Sequence, residues 1–209
     1  ETMKGFTLKE KELRQRVTFG EFPDLTDSNG KPTSCILLIG HLGNQELIAK
    51  CLPLCVYAEV KIPFRKIKPL FLENWVNESR SQFGALLFLA EKSAFFLRKD
   101  TRPFVLALAA DQAASPVKSI WIPFFGRETT FFRGPEKWAN WLDCPVVYAK
   151  VTRPKRGYYN LEFELITSNP KSLDFTELTQ KYAKLLEENI RLEPSIWLWS
   201  HRRWKHSKL

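Results

Sequence analysis

One short segment of the 209-residue chain gathers acid–base side chains around permissive backbone: Gly40-His41-Leu42-Gly43-Asn44-Gln45-Glu46. Histidine is the side chain whose unperturbed charge changes near neutral pH. Glu46 follows His41 by five residues. Gly43 and Asn44 between them accept the tight or left-handed backbone that a turn here needs. Such a turn lets the Glu46 carboxylate fold back toward the imidazole. A carboxylate on one ring nitrogen fixes the tautomer, leaves the other nitrogen free to accept a proton, and stabilises the imidazolium as it forms. The chemistry on offer is removal of a proton from a hydroxyl or an amine, with His41 as general base and Glu46 as its partner. The same spacing also arises by chance at strand ends of α/β proteins, where it does no chemistry.

Other reaction types fit poorly. No G-x-S-x-G elbow occurs, so a hydroxyl attacked or activated here belongs to a substrate. The spacing is not H-E-x-x-H, the zinc-protease pattern. Only three histidines are present, none at ligand spacing from a cysteine, so no metal site is expected. Cys35, Cys51, Cys55 and Cys144 form no C-x-x-C pair and lie in apolar runs. They read as buried free thiols of a reducing compartment.

The elements around this segment alternate between buried strands and helices. Residues 35–39 (CILLI) form a continuous apolar run, the habit of a parallel strand covered on both faces. A loop at 40–44 and a helix over 45–52 follow. Residues 55–62 read as a second strand, 70–83 as a helix stopped by Gly84, and 91–99 as a shorter helix. Residues 104–110 (FVLALAA) form a third buried strand ending at Asp111-Gln112. Residues 116–132 are aromatic and read as irregular. A helix over 134–142 has proline in its first turn. Strands at 145–151 and 159–167 are joined by a link too short for a crossover helix, so they form a hairpin. Residues 176–192 carry an apolar stripe at the helical period: Leu178, Tyr182, Leu185, Leu186 and Ile190. The expectation is an α/β fold with a mixed, mostly parallel sheet flanked by helices. In such sheets ligands bind at the carboxyl edge, and both His41 and Asp111 fall at strand ends.

Lys and Arg outnumber Asp and Glu by 32 to 23, giving a net charge of +9 and an attraction to anionic partners. Sixteen Phe and seven Trp exceed what packing usually asks, so some rings are expected to face lipid. A basic nucleic-acid-binding module needs a cationic stripe with stacking aromatics, and here the cations are dispersed. No nucleic-acid partner is therefore expected. A lipid-binding protein without catalysis is a third reading, opposed by the intact His41–Glu46 pair. No apolar run approaches the eighteen or so residues that span a bilayer. The chain starts at Glu1, and an N-terminal membrane anchor is expected to be missing ahead of a partial lead-in at 1–34.

Several segments, taken in order, carry a family resemblance. Gly40–Glu46 resembles the H-x-x-x-x-D/E motif of glycerolipid and lipid A acyltransferases, and more narrowly the H-x-G-N-W-E form of the late acyltransferases of lipid A biosynthesis. Glu78-Ser79-Arg80-Ser81-Gln82-Phe83-Gly84 resembles that family's Arg-containing helix end. Ala110-Asp111-Gln112 resembles its D-Q motif, Ile122-Pro123-Phe124-Phe125-Gly126-Arg127 its P-F-F-G loop, and Cys144-Pro145-Val146-Val147 its a-P-V-V strand. Trp197-Leu198-Trp199-Ser200-His201-Arg202-Arg203-Trp204-Lys205 resembles its closing W-x-W-x-H-R-R-W-K. The likeness runs from about residue 35 to about residue 205. Gln45 departs from it, standing where the family has Trp.

The resemblance implies a glycerol-3-phosphate acyltransferase-like fold over 1–209, as a single catalytic domain. It implies O-acyl transfer from an acyl thioester on acyl carrier protein to a hydroxyl of a lipid A precursor, an anionic glycolipid, with no cofactor. The place of action would be the cytoplasmic face of a bacterial inner membrane, with the fragment peripheral to the membrane surface. Another glycolipid acceptor, such as a phosphatidylinositol mannoside, would use the same catalytic pair. Arg80 and Asp111 match further polar positions of the family site. Arg127 and Arg133, flanking the aromatic loop, are candidates to grip headgroup phosphates, and Asn44 to shape the loop beside the substrate. His201–Lys205 suits an interfacial or lipid-phosphate contact, because Trp with Lys and Arg anchors at such surfaces. Phe88, Phe95, Phe96 and Trp121 are candidates for lining an acyl pocket, or else plain core.

Overall fold

The structure, a computed structural model, describes residues 2–98 and 102–207. Nine strands and seven helices are found among them: β1 (Val17–Phe19), β2 (Cys35–Ile39), β3 (Glu59–Phe64), β4 (Leu86–Leu89), β5 (Phe104–Ala109), β6 (Ser119–Phe124), β7 (Arg127–Phe132), β8 (Val146–Lys155) and β9 (Tyr158–Thr167), with α1 (Thr2–Thr7), α2 (Glu10–Arg16), α3 (Gln45–Cys51), α4 (Leu70–Ser81), α5 (Ser93–Arg98), α6 (Gly134–Leu142) and α7 (Glu177–Leu192). Seven strands make one sheet in the order β1-β9-β8-β2-β5-β3-β4. Every neighbouring pair is parallel except the β8–β9 hairpin. The fold is α/β with a mixed, mostly parallel sheet and flanking helices, as its alternating pattern implied.

The CILLI run takes the central place, between β5 and β8. Cys35 through Leu38 are buried, which is why no polar residue interrupts the run. The helix α7 lays Leu178, Tyr182, Leu186 and Ile190 into the core, and Leu185 stays half-buried. Between α1 and α3 sits a buried cation. Lys50 is fully enclosed, and its Nζ donates to the carbonyls of Gly5, Phe6 and Leu8 at 3.1, 3.0 and 3.0 Å. Burial pulls its pKa below the usual lysine value. It satisfies the carbonyls that α1 leaves open at its end and so ties α1 to α3.

Five segments differ from the sequence reading. The lead-in at 1–34 contains α1, α2 and the edge strand β1, which pairs with β9. The second strand begins at Glu59 rather than at residue 55, because a 3-10 turn at Leu52–Leu54 prolongs α3 and the ladder with β5 opens at Glu59↔Phe104. The four-residue run LLFL is the edge strand β4, too short to show a period of its own. The aromatic stretch read as irregular is a hairpin, β6 paired with β7 from Ser119↔Phe132 to Phe124↔Arg127. Its two-residue turn, Phe125-Gly126, has φ of 52° and 71°, the doubly positive geometry of tight hairpins. The helix expected over 91–99 runs from Ser93 to Arg98, and Lys99 lies outside the described residues.

Candidate active site

The parallel register of β2 with β5 brings two loop residues side by side. Ile39 pairs with Ala109, and each strand ends there. Two residues further on stand His41 and Asp111. Asp111 is 2% exposed and accepts three hydrogen bonds. Its Oδ1 accepts from His41 Nδ1 in a short contact, and its Oδ2 accepts the His41 backbone N–H at 2.8 Å and the Trp197 indole N–H at 2.9 Å. Burial by itself would raise the Asp111 pKa. The imidazole's hydrogen bond and charge, the indole and the backbone N–H outweigh burial and hold the pKa below the usual aspartate value. Asp111 is therefore a carboxylate at neutral pH. Its acceptor role places the His41 proton on Nδ1 and leaves Nε2 as the basic nitrogen. Gln112 Nε2 lies 3.1 Å from that nitrogen.

The imidazole's carboxylate is thus Asp111 and not Glu46, contrary to the expectation from spacing. Glu46 sits in the first turn of α3, where a carboxylate suits the helix N-terminus. It turns to α4 and forms a bidentate pair with Arg80, Oε2 to Nε at 2.7 Å and Oε1 to Nη2 at 2.6 Å. Both side chains are about one-fifth exposed. The fork geometry fixes the guanidinium plane and leaves Nη1 uncommitted to Glu46. Asn44 caps α3: it is buried, and its Oδ1 accepts the Leu47 N–H at 3.1 Å.

The His41 loop is clamped from the far end of the chain. Gly43 N–H donates to Ile196 O at 2.8 Å and Leu198 N–H to His41 O at 3.1 Å, forming a small bridge between Leu42 and Trp197. Ala113 N–H donates to His201 Nε2 at 3.0 Å, and burial lowers the His201 pKa, keeping that ring a neutral acceptor. Gly43 has φ +64°, and a Cβ there would stand 2.5 Å from the Tyr159 ring. Arg203 is buried against the Phe131 ring, 4.3 Å from guanidinium carbon to centroid. Burial lowers its pKa to about 10, partly offset by the charge of Asp111.

His41, Gln112 and Arg80 face a common cavity of about 470 Å³. Behind them its wall is apolar: Ile39, Ile48, Leu52, Ile62, Ala107 and Trp138 among others. A cavity of this size with a few convergent polar groups is the usual form of a ligand site. Phe88, Phe95, Phe96 and Trp121 do not line it; Phe88 stacks on Phe96 at 4.9 Å, and Phe95 is exposed. Arg127 and Arg133 are exposed and also stand off the cavity. Arg127 lies over the Trp204 ring, and Arg133 Nε donates to Ser119 O at 3.1 Å. The closing basic segment is split: Arg203 is buried and Trp204 donates to Thr129 Oγ1 at 2.9 Å, while Arg202 and Lys205 are exposed. Trp197 is buried, and the half-exposed Trp199 meets it edge-on, ring centroids 4.6 Å apart.

Trp197, Gln112 and His201 are site residues that spacing near His41 could not supply. Their signal was their place in the closing W-x-W-x-H run and in Asp111-Gln112. The four cysteines are free, and burial lifts each thiol to about 12, which removes them as nucleophiles at neutral pH. Among the described residues no cluster of His, Cys, Asp and Glu is placed to hold a metal ion, and no helix is long and apolar enough to cross a membrane.

No curated protein sequence matches the chain. The family model for bacterial lipid A biosynthesis acyltransferases matches residues 1–206. With nearly its whole length covered, the chain belongs to the bacterial lipid A biosynthesis acyltransferase family.

Proposed function

We propose that the chain moves a fatty acyl group from an acyl thioester, carried on acyl carrier protein, to a hydroxyl of a lipid A precursor. His41 is the general base, Asp111 orients it, and Glu46 acts through Arg80. The observation that carries this reading is the direction of the imidazole. Its Nδ1–H is held by a buried carboxylate, and its Nε2 faces an apolar cavity and meets Gln112 rather than a hydroxyl or thiol of the chain.

In the reaction, Nε2 takes the acceptor's hydroxyl proton as the oxygen attacks the thioester carbonyl. A C–O bond forms, and the carbonyl oxygen becomes an anion in a tetrahedral intermediate. Arg80, whose Nη1 is not engaged by Glu46, is a cation at the cavity suited to an anion, either this oxyanion or an acceptor phosphate. The intermediate collapses with cleavage of the C–S bond, and the imidazolium returns its proton to the departing thiolate. The Asp111 carboxylate stabilises the imidazolium between these steps without taking its proton. The apolar wall behind the polar groups suits a hydrocarbon chain.

The test is transfer of a labelled acyl group from acyl–acyl carrier protein to a lipid A precursor in mixed micelles, with His41→Ala as control. Loss of transfer in a variant still folded by circular dichroism is expected. Equal transfer by both chains would sink the mechanism.

A further inference from the structure

The segment that leads from β3 into α4, Arg65-Lys66-Ile67-Lys68-Pro69-Leu70-Phe71, has a composition unlike the surface around it. It begins at the cavity, since Phe64, Arg65 and Ile67 line that space. It ends in two adjacent, largely exposed apolar side chains, Leu70 at 66% and Phe71 at 72%. Between these points Arg65, Lys66 and Lys68 are exposed. No ion pair among the described residues engages Lys66 or Lys68. The carboxylate in the first turn of α4 is spent internally: Glu73 Oε2 accepts the Ile67 N–H at 2.6 Å. Together with Leu72 N–H to Pro69 O at 3.0 Å, that bond holds the arm in one shape.

Two large apolar side chains left in water beside three cations match a layered partner, with anionic charge outside and hydrocarbon beneath. We infer that residues 65–71 form a docking arm that sets Leu70 and Phe71 into an anionic lipid bilayer, with Lys66 and Lys68 on the headgroups, and holds the cavity mouth at the membrane surface. The inference rests on the reading that the cavity receives a lipid chain. It gives such a chain a short path from bilayer to His41 without crossing open water. It also puts the membrane contact on this arm rather than on the Arg203 and Trp204 of the closing basic segment, which are engaged within the fold.

The test uses the full chain and vesicles, without turnover. Co-sedimentation is measured with phosphatidylglycerol–phosphatidylethanolamine vesicles and with phosphatidylcholine vesicles, for wild type, Lys66→Glu/Lys68→Glu and Leu70→Ser/Phe71→Ser. Each cation near an anionic surface strengthens binding about fivefold, so the lysine pair is expected to lose about 25-fold or more. The apolar pair is expected to lose about tenfold or more, on both kinds of vesicle. Circular dichroism checks that each variant stays folded, as its exposed positions imply. Partition unchanged in either pair overturns the proposal. A lysine pair that partitions as wild type but loses transfer only from the protein-linked donor would assign the arm to an acidic protein instead. Because binding is read apart from acyl transfer, a chain that binds vesicles through this arm but transfers no acyl group would count against the catalytic reading alone.

Discussion

Asp111→Asn changes one atom in a buried site and separates orientation of the base from its presence. The carboxylate faces three donors: Nδ1–H of His41 on Oδ1, and two N–H groups on Oδ2. An asparagine has one oxygen for these two places. With its oxygen at the Oδ1 position, its NH₂ confronts the His41 backbone N–H and the Trp197 indole N–H, and both are left without acceptors. Each buried donor so stranded costs about 1–3 kcal/mol. With its oxygen at the Oδ2 position both are satisfied, but the NH₂ now points at Nδ1 and forces it to be the acceptor. The second arrangement wins by about 2–6 kcal/mol. It carries the imidazole proton on Nε2, the nitrogen that the proposed mechanism requires bare to accept the acceptor's proton. The fraction in the working tautomer, and with it kcat, falls by about 30-fold to 10⁴-fold. The assay is acyl transfer at saturating donor and acceptor, with ¹⁵N chemical shifts of the imidazole read on the same sample. A variant keeping more than a third of the wild-type kcat, or an imidazole still protonated on Nδ1, would refute the reasoning.

Three further perturbations have definite outcomes. Trp197→Phe removes one donor from Asp111 and leaves the backbone N–H. It should lower unfolding stability by about 1.5–3 kcal/mol in urea titrations and reduce kcat about tenfold, with KM for the donor little changed. Gly43→Ala places a methyl group against the Tyr159 ring at a positive φ, and should cost about 2–4 kcal/mol of stability, visible as a lower Tm. Asp111 has a native pKa below its ordinary 3.8, so its stabilisation is fully present above about that pH and is lost as pH falls through the lower native value. The stability gap between wild type and Asp111→Asn should therefore be widest near neutrality and narrow below about pH 3.8. A gap that widens on acidification would contradict the assigned charge.

The sequence made some of this legible and hid the rest for physical reasons. Buried central strands announce themselves, and CILLI and FVLALA stand where their unbroken apolar runs put them. Edge elements do not: β1 and β4 are three and four residues long, too short to repeat an alternation that could reveal them. At the site, the end-of-strand positions of His41 and Asp111 were readable, but their contact was not. It depends on β2 and β5 being neighbours with Ile39 opposite Ala109, a tertiary fact separated by some seventy residues of chain. Spacing alone assigns the imidazole the nearest carboxylate in sequence, Glu46. What redirects it is Arg80, delivered by α4 with a fork that a carboxylate fits on two bonds. A pairing decided by a third element cannot be read from the spacing of the first two.

The clamp over the His41 loop bears on how the protein comes into being. Asp111 waits 86 positions for the indole that completes its set of donors, and the same late stretch supplies the acceptor for Gly43 and the ring that receives the Ala113 N–H. During synthesis, a nascent polypeptide that has reached β9 already contains His41, Asp111 and every strand of the central sheet, yet the loop bearing His41 lacks its tether. The tether arrives only with residues 196–201. Chains that stop before Ile196 then lack the clamp on the His41 loop, and the order of translation leaves that loop to be fixed last.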